Sequence, residues 1–318
     1  MDPVTHAALG ASCSQAILGK YSKHIPWKVG ALAAMAPDLD IFIRFKNNPL
    51  SLELWHRNFT HSFLFIPLGG ILVALFFLCF SRYRACWKVT VCAALVGYAT
   101  HGLLDALTSY GTVLLWPMSY KRISWDIIAI VDPMFTIPLI LGIAWSVIHQ
   151  DQKGVRLGLL FAGTFLLFNS IQHQRALQSI QAFATQQKLR LTSIRAMPAL
   201  ASSFYWRVIA KNNHCLIIKE VHTPLLKRSS IMSVAQIPLF SNRSSASFTP
   251  GQQRDLALFS WFSDNYVVVA KQAPLILADG RYTLGNSPLY SLWGIEFLPR
   301  KEHITKLSSI LLHEHCEY

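Results

Sequence analysis

The sequence predicts a mainly α protein, a multi-pass helical membrane domain followed by a small α+β C-terminal domain, and three observations lead there. Hydrophobic residues make up 52% of the 318 residues, charged residues only 14%, and mean hydropathy is +0.34. That is too apolar for an ordinary soluble domain and excludes a disordered chain. Apolar runs long enough to cross a bilayer occur only before Ile171. After that point short β-like runs alternate with Gly, Pro, Asn and Ser. The expected divisions are a membrane-embedded domain over 1–171, an amphipathic connecting helix over 172–196, and a small basic extramembrane domain over 197–318.

The clearest predicted span is Ser62 to Phe80, which carries no charge and is followed by Arg82, Arg84 and Lys88. Val89 to Leu107 is nearly as apolar but contains His101 and Asp105, and Ile127 to Ile148 contains Asp132 followed by Pro133. Val155 to Ile171 is a shorter fourth candidate. Ala7 to Leu18 and Val29 to Ile43 suggest two re-entrant or partly buried helices. Asp2 precedes every basic residue, so a signal peptide is not expected and insertion would use the internal spans. Basic residues flank the spans on both sides, so the positive-inside rule does not fix the orientation from the sequence.

Leu177, Ile180, Ala184 and Leu191 recur at near-helical spacing and predict the connecting helix. Strands are expected in FYWRVIA from Phe204, HCLIIKEV from His214, NYVVVAK from Asn265 and YSLWGIEF from Tyr290, with a helix over Asp255 to Phe262. Six cysteines, at 13, 79, 86, 92, 215 and 316, include no C-x-x-C pair and read as buried thiols.

Residues 1–171 hold 13 basic and 8 acidic side chains, and 172–318 hold 16 and 8. This surplus favours anionic partners, lipid head groups first. Nucleic acid is disfavoured, because no RNA-binding aromatic motif, finger spacing or Gly-rich phosphate loop is present.

The chemistry concentrates in the apolar half. Asp2 with His6, and His101 with Asp105, are spaced four apart, which on a helix puts both side chains on one face. Asp38 and Asp40 lie in APDLD, and His56, Arg57, Thr60 and His61 in HRNFTHS. Imidazole and carboxylate without thiolate suit Zn, Mn or Fe. A lone histidine is commonly just hydrogen-bonded, and Asp38 after Pro37 can cap a helix. An aspartate inside a span, however, costs about 2.5 to 3.5 kcal/mol by insertion scales and needs a partner. If Ser62 to Phe80 and Val89 to Leu107 run antiparallel, His61, His101 and Asp105 fall at one membrane face, which His6, Asp38 and Asp40 reach without crossing. These six are the expected ligands of a divalent ion, Zn or Mn first, with a two-ion centre plausible for so large a set. Asp132 before Pro133 reads as an N-cap. The loop Thr108 to Asp126, with Ser109 in SYGT and basic Lys121 and Arg122, could cover the site and meet a phosphate.

Asp2, Thr5 and His6 in DPVTH, PDLD at 37–40, HRNFTHS at 56–62, HGLLDALTSYGT at 101–112 and the Asp132-Pro133 pair resemble the predicted membrane-bound metal-dependent hydrolases of the YdjM type, which include LexA-regulated members. The resemblance covers roughly residues 1–170 and implies a metal-bound hydrolase in the bacterial inner membrane. Asn58-Phe59 stands where many members carry a glycine in HRG-x-THS.

The expected function is therefore a membrane-bound metal-dependent hydrolase acting on a phosphoester or related bond in a membrane-presented substrate, such as an anionic lipid or lipid phosphate. His56 would be a general acid or phosphate contact, and Arg57 would stabilise negative charge. Two alternatives stay open on the sequence: a transporter using His101 and Asp105 as an ion or proton relay, and a non-enzymatic membrane protein using them as interhelical hydrogen bonds.

Overall fold

The computed structural model describes residues 1–45, 48–241 and 248–313. His315 and Cys316 lie outside them. The chain forms two compact units. The first comprises Met1–Phe42, Trp55–His173 and Pro198–Ser203, and the second Ile43–Leu54, Gln174–Met197 and Phe204–Tyr318.

In the first unit α1 (Pro3–Leu18) and α2 (Ile25–Met35) form a hairpin packed against α6 (Trp87–Ala106). The contact is glycine-made. A Cβ on Gly10, Gly30 or Gly97 would collide with Ala34, Ser14 or the Gly30 backbone respectively. Small residues let backbones approach closely in apolar surroundings, where dispersion and polar contacts replace the hydrophobic drive. Beyond α2 the chain continues through a 3-10 segment, Ala36–Phe42; Ile43–Leu54, with most of α3 (Ser51–Trp55), belongs to the second unit, and the first resumes with a 3-10 turn, Phe59–His61. Next come α4 (Ile66–Leu78), the short α5 (Ser81–Arg84) and α6. An irregular loop leads to α7 (Pro133–His149), and α8 (Lys153–Gln186) closes the unit. Met1, Ala8, Leu104, Phe135, Leu139 and Ala162 join α1, α6, α7 and α8 in one core. Large apolar side chains on α4, α7 and α8, including Leu72, Phe76, Leu141, Ile148, Leu157 and Leu160, are exposed, as helices facing lipid require.

Among the described residues two helices are long and apolar enough to cross a membrane, α6 and α8, or three if the pair 51–61 and 63–78, bent by 60°, counts as one broken span. This corrects two expectations. The run from Ser62 is not one straight helix, because Ser62 is extended (φ −77°, ψ 154°) and caps a 3-10 turn at Phe63–Phe65 before Pro67 starts α4. The run from Ile127 becomes helical only at Pro133, where Asp132 caps Met134 N–H at 3.0 Å, as Asp-Pro predicts. The fourth candidate span and the amphipathic helix are one continuous 34-residue helix.

The second unit is richer in strand than "mainly α" allows. Strands β1 (Ser193–Pro198), β2 (Tyr205–Lys211), β3 (Cys215–His222) and β4 (Ser230–Pro238) form one sheet in sequential order. After α9 (Pro250–Phe262), β5 (Val267–Gln272), β6 (Leu275–Asp279), β8 (Leu289–Phe297) and β7 (Thr283–Leu284) form the second, with β9 (Thr305–Leu312) on β8. Ile209, Leu216 and Ile218 of the first sheet share a core with Val268, Ala278 and Ile310 of the second, while Ala176 and Ile180 of α8 pack on Trp206, Val208 and Val221. The four expected strands and the helix are present. β1, β4, β6, β7 and β9 come in addition to them.

The cysteines also depart from expectation. Cys13, Cys79, Cys86 and Cys92 are free but none is fully buried, Cys79 and Cys92 being exposed among the apolar surface of the helices, and Cys215 is disulfide-bonded.

The glycine contact yields a prediction. Gly97→Leu should lower the thermal stability of the detergent-solubilised protein by about 1–3 kcal/mol through overpacking, whereas Gly163→Ala, with no atom within 4 Å of the new methyl, should leave it unchanged. Thermal unfolding followed by intrinsic fluorescence checks both.

Candidate metal centre

α6 delivers His101 and Asp105 one turn apart at its C-terminal end, and both are fully buried. His61 arrives from the 3-10 turn before α4, and Asp38 from the 3-10 segment after α2. The nearest ligand atoms of Asp38, His61, His101 and Asp105 all lie within 4.8 Å of one another. His61 Nε2 and His101 Nε2 are 2.9 Å apart. Each is 3.4 Å from Asp105 Oδ2, and Asp38 Oδ1 is 3.4 Å from the first and 3.3 Å from the second. A tetrahedral ion with ligands at about 2.0–2.1 Å separates its ligand atoms by about 3.3–3.4 Å, so most edges already match.

The hydrogen bonds fix which nitrogens are bare. His101 Nδ1 faces the Ala34 carbonyl, which can only accept, so the proton sits on Nδ1. His61 Nδ1 faces Asp40 Oδ2 at 3.3 Å and Thr60 Oγ1 at 3.0 Å, and Thr60 already donates its hydroxyl proton to Asp40 at 2.8 Å. With each Nδ1 carrying the proton, the two neutral rings would present bare Nε2 atoms to each other, an arrangement that a cation resolves. Asp105 is divided in the same way. Its Oδ1 accepts from the Met1 amino group and lies 3.1 Å from Arg57 Nη2 and 3.2 Å from His6 Nε2, while its buried Oδ2 has no hydrogen-bond partner. An orphaned anionic oxygen aimed at two bare imidazole nitrogens is the donor set of a divalent cation.

The other expected residues surround this set. His6 stacks on His101 at 3.7 Å between ring centroids and supports Asp105. Asp40 meets His56 Nδ1 at 2.8 Å, the Arg57 backbone N–H at 3.1 Å, Thr60 and His61. Asp40, His56 and His61 form a second group of metal-ligand type, but Asp40 is filled by donors, which leaves it no oxygen in need of an ion. For Asp40 burial opposes ionisation, but hydrogen bonds from His56 Nδ1 and His61 Nδ1 outweigh it, so the carboxyl sits well below the usual carboxylate range. Asp2 is not at the cluster. It is the N-cap of α1, bonded to Thr5, and Thr5 Oγ1 contacts Thr136 of α7 at 2.6 Å. Asp132 caps α7, and Ser109 is buried in the loop between α6 and α7.

Arg57 adopts the left-handed region (φ 62°). That turns its N–H to Asp40 and its buried guanidinium to Asp105, with Nη1 donating to Thr108 Oγ1 at 3.0 Å and the Tyr110 ring 4.7 Å away. The strained residue is thus Arg57 and not Asn58, whose φ is −99°. Arg122, expected to meet a phosphate, is buried and donates to the Tyr110 and Gly111 carbonyls of its own loop. Lys121 remains exposed. Sequence reasoning missed Thr108, Tyr110 and the Ala34 carbonyl, although the first two lie in the HGLLDALTSYGT string.

Fold and cluster together define an integral membrane protein with a buried His/Asp group able to hold a metal ion. The chain belongs to the YdjM inner membrane protein family, whose model matches residues 1–176. It is also similar to inner membrane protein YbcI of Escherichia coli (strain K12), 32% identical over 138 residues that cover 40% of this chain and 75% of the relative. No solved structure matches.

Removing Asp105 or His101 (Asp105→Ala, His101→Ala) should abolish metal retention. Asp40→Asn and His6→Ala, which only orient ligands, should weaken it roughly 10–100-fold. Competition with a chromogenic chelator measures all four.

Proposed function

We propose that the chain is a membrane-bound metal-dependent hydrolase that cleaves a phosphoester or related bond in a substrate presented by the bilayer. The observation that carries this reading is the bare Asp105 Oδ2 facing two bare imidazole nitrogens and Asp38. A divalent ion held there by Asp38, His61, His101 and Asp105, Zn or Mn by donor type, would supply Lewis-acid polarisation and an acidified water. One ion suffices, because the Asp40 group is closed by its own hydrogen bonds.

The chain's residues divide the remaining work. Asp38 is 24% exposed while its three companions are buried, so the site opens on its side. His56 lies at that rim, 18% exposed, with Nδ1 held by Asp40, which leaves Nε2 to carry a proton to a leaving group. Arg57 positions Asp105 and lowers the negative charge that a phosphate would meet, and its guanidinium is committed to protein partners. Placement at the bilayer follows from what flanks the ligands. Phe63, Leu64 and Leu103 are exposed beside His61 and between His101 and Asp105, and a narrow crevice runs between Pro37, His61, Ile66 and Gly102. An amphiphile with a phosphate head fits such a border of polar and apolar surface. The basic second unit adds attraction for anionic lipid, each Lys or Arg near the surface contributing on the order of 1 kcal/mol.

Detergent-purified protein supplemented with Zn or Mn should hold about one ion per chain and release inorganic phosphate from a lipid phosphate such as phosphatidic acid, with loss of activity on chelation. His56→Ala should lower kcat by about 10²–10⁴-fold with metal content kept. Elemental analysis and phosphate release read these out, and a folded chain that takes up no metal overturns the reading.

A further inference from the structure

The charges of the helical unit sort by end. Three short connections meet at the end remote from Asp105: residues 19–24 between α1 and α2, 79–86 between α4 and α6, and 150–152 between α7 and α8. Lys23 Nζ bonds Gln150 Oε1 at 2.6 Å, and Leu18 and Ile25 pack with Phe77, Tyr83 and Cys86. With the first turns of the helices that follow, these connections carry eight Lys and Arg, among them Lys20, Lys23, Arg82, Lys88, Lys153 and Arg156, against the single carboxylate Asp151. Tyr21, Trp87 and Trp145 are exposed there, the aromatic collar expected at head-group level. The connections at the other end, 36–42, 55–62 and 105–132 with Asp2, hold three Lys and Arg against six carboxylates. The sequence alone does not show this asymmetry because it does not say at which end Lys20, Lys23 and Lys28 fall. The α1–α2 hairpin carries them away from the cluster and back.

We infer that the basic end rests on anionic head groups of the cytoplasmic leaflet, so that the His/Asp cluster opens on the extracytoplasmic side. The positive-inside bias is set by short loops of this kind, and each Lys or Arg adds on the order of 1 kcal/mol of attraction. The consequence for substrate rests on the hydrolase reading: the phosphate-bearing lipid is one displayed in the outer leaflet, and cytoplasmic nucleotides are excluded. The orientation itself does not depend on that reading, so labelling and metal content fail separately.

The test uses the full chain with Cys13, Cys79, Cys86 and Cys92 replaced by Ser, carrying Lys121→Cys or Lys20→Cys, both exposed positions, in bacterial spheroplasts treated with a membrane-impermeant maleimide. Lys121→Cys should label in intact spheroplasts, and Lys20→Cys only after permeabilisation. The reverse pattern, or equal labelling of both in intact spheroplasts, overturns the inference.

Discussion

The structure depends on how the Asp105 carboxylate is kept ionised inside a helical bundle. A bare carboxylate in a low-dielectric interior carries a penalty of several kcal/mol after relaxation, more than a single neutral hydrogen bond returns. Here the charge is divided. Oδ1 collects the Met1 amino group, Arg57 and His6, and Oδ2 is left facing His61 and His101. Each neighbour is placed for this purpose by a different element, and the order of the helices in unit 1 can be read as the set of connections needed to bring them to one carboxylate. A buried ion cluster seldom adds stability over apolar packing, and removing one member leaves another uncompensated. Its presence therefore argues for chemistry more than for folding.

Packing explains how the convergence is held to within tenths of an ångström. Gly10, Gly30 and Gly97 allow α1, α2 and α6 to approach at backbone distance, and that approach puts the Ala34 carbonyl against His101 Nδ1. The carbonyl fixes the tautomer, and the tautomer makes Nε2 a donor of electrons. A helix-packing contact thus sets the tautomer of a candidate ligand on the neighbouring helix through one backbone oxygen. The same economy appears in the 56–61 turn, where Arg57 accepts a left-handed conformation costing on the order of 1–3 kcal/mol and in return serves Asp40 with its backbone and Asp105 with its side chain.

Much of this is legible in the sequence because spacing and cost are local properties. The four-residue step from His101 to Asp105 and the expense of an aspartate in an apolar run mark α6 without any tertiary information, and the side-of-membrane argument brings His61 to them. What the sequence does not divide is the inner set from its supports. Asp38 and Asp40 sit two residues apart in one string and look equivalent, yet the 3-10 segment points Asp38 at the nitrogens and Asp40 at Arg57 N–H, Thr60 and His56. Asp2 and His6 share a face of α1, but Asp2 is spent on the helix cap. The missed strands have a similar origin. β4 and β9 mix polar and apolar residues because one face of each is exposed, so their runs are too short of apolar residues to stand out, whereas β3 is buried on both faces and announces itself.

The bend before α4 follows from the same requirement. A straight helix through Ser62 would give the clean span the composition suggests, but His61 would then lie on a helical face with its Nδ1 turned to whatever neighbour the 3.6-residue period supplied. Breaking the helix at Ser62, whose side chain caps Phe65 N–H at 3.3 Å, releases residues 56–61 from that period. Asp40 can then accept from His56, Arg57, Thr60 and His61 at once. Four donors within six consecutive residues cannot converge on one carboxylate from an α-helix, whose side chains fan around its axis. The departure from an ideal transmembrane helix is therefore the condition for orienting His61, and it occurs at the bundle end, where Asp38 is partly exposed and the freed backbone polar groups need not be buried in lipid.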